Sequence, residues 1–293
     1  MASSYDSKSL FDVKDLVAVI TGGGSGLGKI IAHALVANGA KAVYVLGRRQ
    51  ESLDATKESS ARPQAVHPIV CDVTSKDSLQ SAAGRVRDEV GYVNVLFANS
   101  GVITADVPVK DVDSLTVKSF QERLWAPSME EFTRSAQVNV TGAFYTAVAF
   151  LDLLDEGNKR KVVPQSSQVI ITSSAAGFAR RPFAGFAYGT SKAAATHLAK
   201  QLGTVLSAFK IRVNTIAPGF YPSEMTDAMP FMKQTDVSKE GSLPRSFVPM
   251  ERSGTAEDMA GAALFLVSRA GAYIAGNVLL TDGGRLGVVE ASY

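Results

Sequence analysis

Tyr188 and Lys192 stand four residues apart in FAYGTSKAA (186–194), surrounded by small residues. On a helix such a pair shares one face, with Cβ atoms about 5–6 Å apart. A free phenol has a pKa of about 10, which makes it a poor proton carrier near neutrality. Acid–base work favours a pKa near the operating pH. A shift of roughly 3 units corresponds to about 4 kcal/mol. A unit positive charge at about 4 Å, in an effective dielectric of about 20, supplies that much. The spacing therefore reads as a proton carrier, Tyr188, tuned by Lys192. From this stretch alone, a surface helix with an exposed lysine stays open.

A second constellation is TGGGSGLGKIIAHAL (21–35), where Gly22, Ser25, Gly26, Leu27 and Gly28 lie between an apolar run and a helical pattern. Glycine permits the tight turn and lets the backbone approach a pyrophosphate. The following helix offers free N–H groups and the positive end of its dipole. No Gly-Lys-Ser/Thr ending follows, so a dinucleotide is favoured over a nucleoside triphosphate. At the end of the next apolar run, where an NAD site carries an acid for the ribose 2′-OH, stand Arg48 and Arg49. A guanidinium suits a phosphate by charge and by its planar fork. The cofactor expectation is NADP(H), with Arg48 on the 2′-phosphate and Arg49 as its understudy. Two solvated loop arginines are the alternative.

These residues need a frame. Apolar runs at 16–20, 42–46, 65–70, 93–98, 168–173, 211–217 and 277–282 alternate with helical patterns such as 27–39. Runs apolar nearly throughout fit strands covered on both faces. The alternation predicts an α/β fold: one Rossmann-like, doubly wound parallel sheet of about seven strands, with helices on both faces. The expected organisation is a single domain over residues 1–293, with a substrate lid near 219–253. Two insert-like stretches, 105–128 and 156–168, interrupt the pattern, the second carrying Lys159, Arg160 and Lys161 as a solvated basic loop.

Composition bounds the partners. The 293 residues carry a formal net charge of +2, and 46% are apolar. Nothing there calls for nucleic acid or an anionic membrane. Cys71 is the one cysteine, so no intramolecular disulfide or cysteine-based metal site can form. His33, His67 and His197 are scattered, and no metal is expected. The polar N-terminus is not a signal or transit peptide, and no apolar run reaches the roughly 18 residues of a membrane span. The expectation is a cytoplasmic protein.

Taken together, the chain resembles the short-chain dehydrogenase/reductase family. TGGGSGLG (21–28) resembles its TGxxxGxG turn and YGTSK (188–192) its YxxxK. Asn139 in VNVTGAF and Ser174 in IITSSAAG resemble its active-site asparagine and serine; Ser173 is the alternative for the latter. ANSG (98–101) is similar to NNAG, with Ala98 in place of the first asparagine. CDVT (71–74) resembles the adenine-side Asp-Val, here Asp72 and Val73, and PGFYPS (218–223) the Pro-Gly segment over the nicotinamide. The likeness spans most of the chain, to TDGG at 281–284, and the stretch 105–128 exceeds what the family carries there.

The resemblance implies reduction of a small carbonyl substrate, a ketone, to a secondary alcohol with NADPH. Tyr188 would be general acid, Lys192 would also bond the nicotinamide ribose, and Ser174 would polarise the carbonyl. Asn139 would hold a water linking Lys192 to solvent. Asn99 and Gly101 would hold a strand end beside the cofactor. Pro218 and Gly219 would cover the nicotinamide, and Tyr221 by backbone and Ser223 by side chain would fix its carboxamide. A homodimer or homotetramer packed through helices starting near 128 and 187 is implied too. PGFYPSEMT (218–226) resembles β-ketoacyl reductases of the rhamnolipid-biosynthesis type. Arg180 or Arg181 could meet an anionic carrier at the mouth, or lie in a solvated loop. Phe220, Met225, Met229, Phe231 and Met232 could form the lid or pack as an ordinary helix. A non-redox cyclase or isomerase, or an NADP(H)-sensing protein, on the same scaffold stays open.

Overall fold

The seven apolar runs fold as β1 Val17–Thr21, β2 Ala42–Gly47, β3 Val66–Val70, β4 Val95–Ala98, β5 Gln168–Thr172, β6 Arg212–Pro218 and β7 Val278–Thr281. In this computed structural model, which describes residues 5–104, 112–226 and 236–293, they form one sheet in the order β3-β2-β1-β4-β5-β6-β7. Every neighbouring pair is parallel. The helices are α1 Ser7–Leu10, α2 Gly26–Ala37, α3 Gln50–Glu58, α4 Lys76–Glu89, α5 Val117–Trp125, α6 Met129–Ala136, α7 Ala143–Ala149, α8 Leu151–Arg160, α9 Phe186–Leu206 and α10 Ala256–Val267.

Strand alternation divides the core into two layers. Val17 and Val19 of β1 face α4, α7 and α9, through side chains such as Leu79, Ala147 and Ala195. Ala18 and Ile20 face α2, α3 and α10, through Ile31, Leu53 and Met259. Both faces of the sheet are therefore covered, which is why the strand sequences are apolar at most positions. The strand order reverses between β1 and β4, and the crevice at the carboxyl ends of these strands is where such sheets bind ligands.

Two details differ from the sequence expectations. The basic run is not a loop at its start: Lys159 and Arg160 form the last turn of α8, where cations suit the helix dipole. Arg160 packs 4.8 Å over the Tyr92 ring and donates to Val90 O. The stretch 105–128 contains α5, capped by Thr116 Oγ1 accepting from Ser119 N; residues 105–111 lie outside the described residues. Among the described residues no helix is long and apolar enough to cross a membrane.

Candidate active site

The glycine turn joins β1 to α2 as its residue types require. Gly22 has φ +68°, a left-handed conformation that side chains resist. A Cβ on Gly28 would stand 2.2 Å from Gly22 O, so the helix and turn could not close on each other. Ser25 makes no side-chain cap, and the first turn of α2 carries no acidic residue. The cradle therefore offers uncapped N–H groups to an anion. Gly22, Ser25, Gly26 and Leu27 line the large cleft, while Gly28 lies beneath it.

Arg48 and Arg49 both border this cleft. They are not equivalent. Arg49 donates from Nη2 to Glu224 Oε2 at 2.7 Å, tying the end of β2 to the segment after β6. Arg48 is the guanidinium left to face the cleft. Asp72 Oδ1 accepts from Thr74 N and Thr74 Oγ1, and these bonds hold its carboxyl below the usual range, with Arg48 contributing. Val73 lines the same wall, packed against Gly142.

Asn99 joins three strand ends. Its Nδ2 donates to Thr21 O, and its Oδ1 accepts from Thr172 Oγ1. Asn139 sits in a π-helical turn, Gln137–Gly142, between α6 and α7. Its Nδ2 donates to Val102 O and to Ser191 Oγ, and its Oδ1 accepts from Val102 N. The amide thus clamps the loop after β4 onto α9, and it does not border the cleft.

Tyr188, Lys192 and Ser174 come together at the cleft floor. Tyr188 is 7% exposed and Lys192 3%. Lys192 Nζ donates to Thr172 O at 2.8 Å and lies 5.7 Å from the Tyr188 ring centroid. A Cβ on Gly101 would come within 3.2 Å of that Nζ, so Gly101 keeps the approach open. Ser174 Oγ accepts from Ala176 N and donates to Pro218 O at 3.4 Å. Ser173, the alternative, is buried: its Oγ donates to Lys192 O and shares a bond with Thr196 Oγ1.

Among the protein's own groups, burial pushes the Tyr188 phenol up, and the Ser174 hydroxyl pulls it partly back. Burial also draws the Lys192 ammonium down to about 8. Desolvation dominates both groups. Each therefore meets the chemistry as a buried group whose charged form is disfavoured until an opposite charge or donor arrives.

Beyond β6, Pro218, Gly219, Tyr221 and Ser223 border the cleft. Tyr221 is buried, and its ring lies where a side chain on Gly254 would have to go. Thr226, not singled out by sequence reasoning although it closes PGFYPSEMT, organises this segment. Its Oγ1 donates to Tyr221 O and accepts from Ser223 N. Phe220 and Met225 line the pocket, whereas Met229, Phe231 and Met232 lie outside the described residues. Neither Arg180 nor Arg181 reaches the cleft. Arg181 pairs with Glu290 at 3.3 Å, beside the Ala179–Ala291 bridge. From GFARRPF it is Phe183 that lines the pocket. Arg285, missed entirely, lines it as well.

A family model described as short chain dehydrogenase matches residues 16–233. The short-chain dehydrogenase/reductase PhomF of Diaporthe leptostromiformis is 44% identical over 290 residues, covering 99% of this chain and 98% of that protein. The rhamnolipids biosynthesis 3-oxoacyl-acyl-carrier-protein reductase of Pseudomonas aeruginosa is 29% identical over 279 residues, 94% and 97% of the two chains. A solved Pseudomonas aeruginosa RhlG/NADP active-site complex superposes with a TM-score of 0.78 at 28% identity, covering 94% of this chain and 98% of that one.

Proposed function

The chain belongs to the short-chain dehydrogenase/reductase family, and from that premise we propose that it is an NADPH-dependent reductase converting a ketone into a secondary alcohol. The observation that carries the proposal is the meeting of Ser174, Tyr188 and Lys192 in one cleft with the glycine turn.

The residues present fit the dinucleotide. The cradle at Gly22 and Gly28, which a Cβ would fill, and the uncapped start of α2 would hold the diphosphate. Arg48 would take the 2′-phosphate, and Asp72 and Val73 the adenine side. Asn99 and Gly101 hold the neighbouring strand end, and Lys192 would bond the nicotinamide ribose. Pro218 and Gly219 would cover the nicotinamide; Tyr221, Ser223 and Thr226 would meet its carboxamide. When bound, the nicotinamide supplies the hydride. The likeness to a Pseudomonas aeruginosa protein solved as an NADP complex supports the choice of NADP over NAD.

The protein's own work is proton transfer and polarisation. Ser174 donates a hydrogen bond to the carbonyl oxygen, aimed at charge that develops there. Tyr188 delivers its phenolic proton to that oxygen as the alcohol forms, and takes it back in oxidation. Lys192, in its protonated form, offsets the phenolate left behind. Asn139 keeps the loop at Gly101 and Val102 beside the ammonium. Phe183, Phe220 and Met225 keep water from the carbonyl, and within the expected lid, 219–253, the described residues 219–226 and 236–253 would help cover the substrate, residues 227–235 lying outside the described residues. Exposed Met129 and Phe132 on α6, and Phe186 and Val205 on α9, support self-association as a homodimer or homotetramer.

A panel of ketones followed by NADPH absorbance, with NADH in parallel, tests the proposal. Ketone-dependent oxidation faster with NADPH is expected. Absence of turnover across aliphatic, aryl and thioester ketones, with NADPH demonstrably bound, would overturn it.

A further inference from the structure

The turn after β7 aims one side chain into the substrate pocket. Gly283 (φ +64°) and Gly284 (φ +83°) both take the left-handed region, which lets the chain reverse within two residues. Asp282 fixes the reversal: Oδ1 accepts from Gly284 N at 3.0 Å and Oδ2 from Leu286 N at 2.7 Å. The next residue, Arg285, is 4% exposed. Its guanidinium carbon lies 4.7 Å from the Phe183 ring centroid, 5.0 Å from Phe220 and 4.0 Å from Phe247. It borders the same pocket as Ser174 and Tyr188.

Three phenyl faces attract a cation through their quadrupoles, but they do not satisfy the five N–H donors of a guanidinium. Nη1 donates to Phe247 O at 2.7 Å. Nε is buried and has no hydrogen-bond partner. Among the described residues no carboxylate forms an ion pair with Arg285, and Asp282, which acts on it through space, is already engaged by two backbone N–H groups. With Nη1 committed to Phe247 O and Nε shut in, Nη2 is the nitrogen left to meet an acceptor from the pocket. Its N–H groups can donate a charge-assisted hydrogen bond to a carboxylate oxygen. A buried cation without a counter-charge is costly, and an arriving carboxylate supplies charge and acceptors together. The rings of Phe183 and Phe220 beside it suit an apolar or aromatic body between that carboxylate and the carbonyl.

We propose that Arg285 is a specificity residue that holds an anionic oxygen, a carboxylate, borne by the ketone substrate at a second point from the carbonyl. The substrate class is then a keto acid with an apolar or aryl body. This rests on the ketone-reductase reading of the same pocket. Had Arg285 served only to tie the Phe247 loop to the turn at Gly284, its removal would affect charged and neutral ketones alike.

Two aryl keto acids of different length, para-acetylbenzoate and β-benzoylpropionate, are compared with their methyl esters as substrates. The wild-type protein should favour at least one acid over its ester in kcat/KM by about tenfold or more, the discrimination expected of a satisfied buried ion pair. In Arg285→Met that acid-to-ester ratio should collapse toward one, mainly through a higher KM for the acid, and Arg285→Lys should restore part of it. Equal kcat/KM for acid and ester in the wild type overturns the proposal without any variant, as does an unchanged ratio in a folded Arg285→Met. Calorimetric titration of the acids into NADPH-bound protein keeps the two readings apart. Acid binding that Arg285→Met removes, with no NADPH oxidised, sinks the reductase reading and leaves the anion site. Turnover of neutral ketones with no acid preference does the reverse.

Discussion

Lys192 Nζ lies 5.7 Å from the centroid of the Tyr188 ring and donates to Thr172 O at 2.8 Å, so one amino group joins the end of β5 to the phenol one helical turn away. Both side chains are buried. The bond to β5 holds the amino group beside the tyrosine ring.

Tyr188→Phe keeps the packing of the ring and removes the proton. Turnover should fall by about a hundred- to ten-thousand-fold, the range for losing a general acid. NADPH binding, followed by cofactor fluorescence, should stay within a few-fold of wild type, since the cradle at α2 is untouched. Near wild-type turnover would exclude the proposed proton donor.

The lowered Lys192 pKa gives a stability signature. The unfolded side chain titrates near 10.5 and the folded one at about 8. Between these values the unfolded chain binds the extra proton, so stability rises with pH across that window. Below about 8 the full penalty of burying the ammonium is present. Lys192→Met removes the penalty. Its stability advantage over wild type, measured by urea unfolding, should shrink by on the order of 3 kcal/mol from pH 8 to pH 10.5. A pH-independent difference would place the ammonium in water, contrary to its burial.

Arg48 and Arg49 should separate in cofactor preference. Arg48→Ala should lower the NADPH-over-NADH ratio of kcat/KM by about tenfold or more, the effect of losing a charge-assisted phosphate bond. Arg49→Ala should change it little, because its partner is Glu224 and that pair is exposed. Steady-state kinetics with both cofactors decides, and the reverse order would exchange the two assignments.

Gly28→Ala tests the cradle. The added methyl meets Gly22 O and Asn99 Nδ2, so either the turn opens or α2 shifts. Overpacking of this kind costs about 1–3 kcal/mol. Thermal unfolding should show that loss, and cofactor affinity should fall with it. A variant with unchanged melting and unchanged NADPH binding would mean the turn is looser than its geometry.

The strands, the glycine turn and the Tyr188–Lys192 pair were legible in the linear chain because each is a local pattern. A strand buried on both faces is apolar nearly throughout. A turn with positive φ calls for glycine, and two residues on one helix face stand four apart. These requirements act within a few residues, so they leave their mark there. Whether Ser173 or Ser174 faces the cleft, that Arg49 is drawn off to Glu224, and that Asn139 clamps Val102 were decided only when distant segments packed together. Arg285 and its ring cage show the limit most plainly: residues 183, 220, 247 and 285 belong to separate loops with no shared period. Their meeting follows from where β5, β6 and β7 end in the sheet, and burial of the guanidinium exists only once all three rings have closed around it.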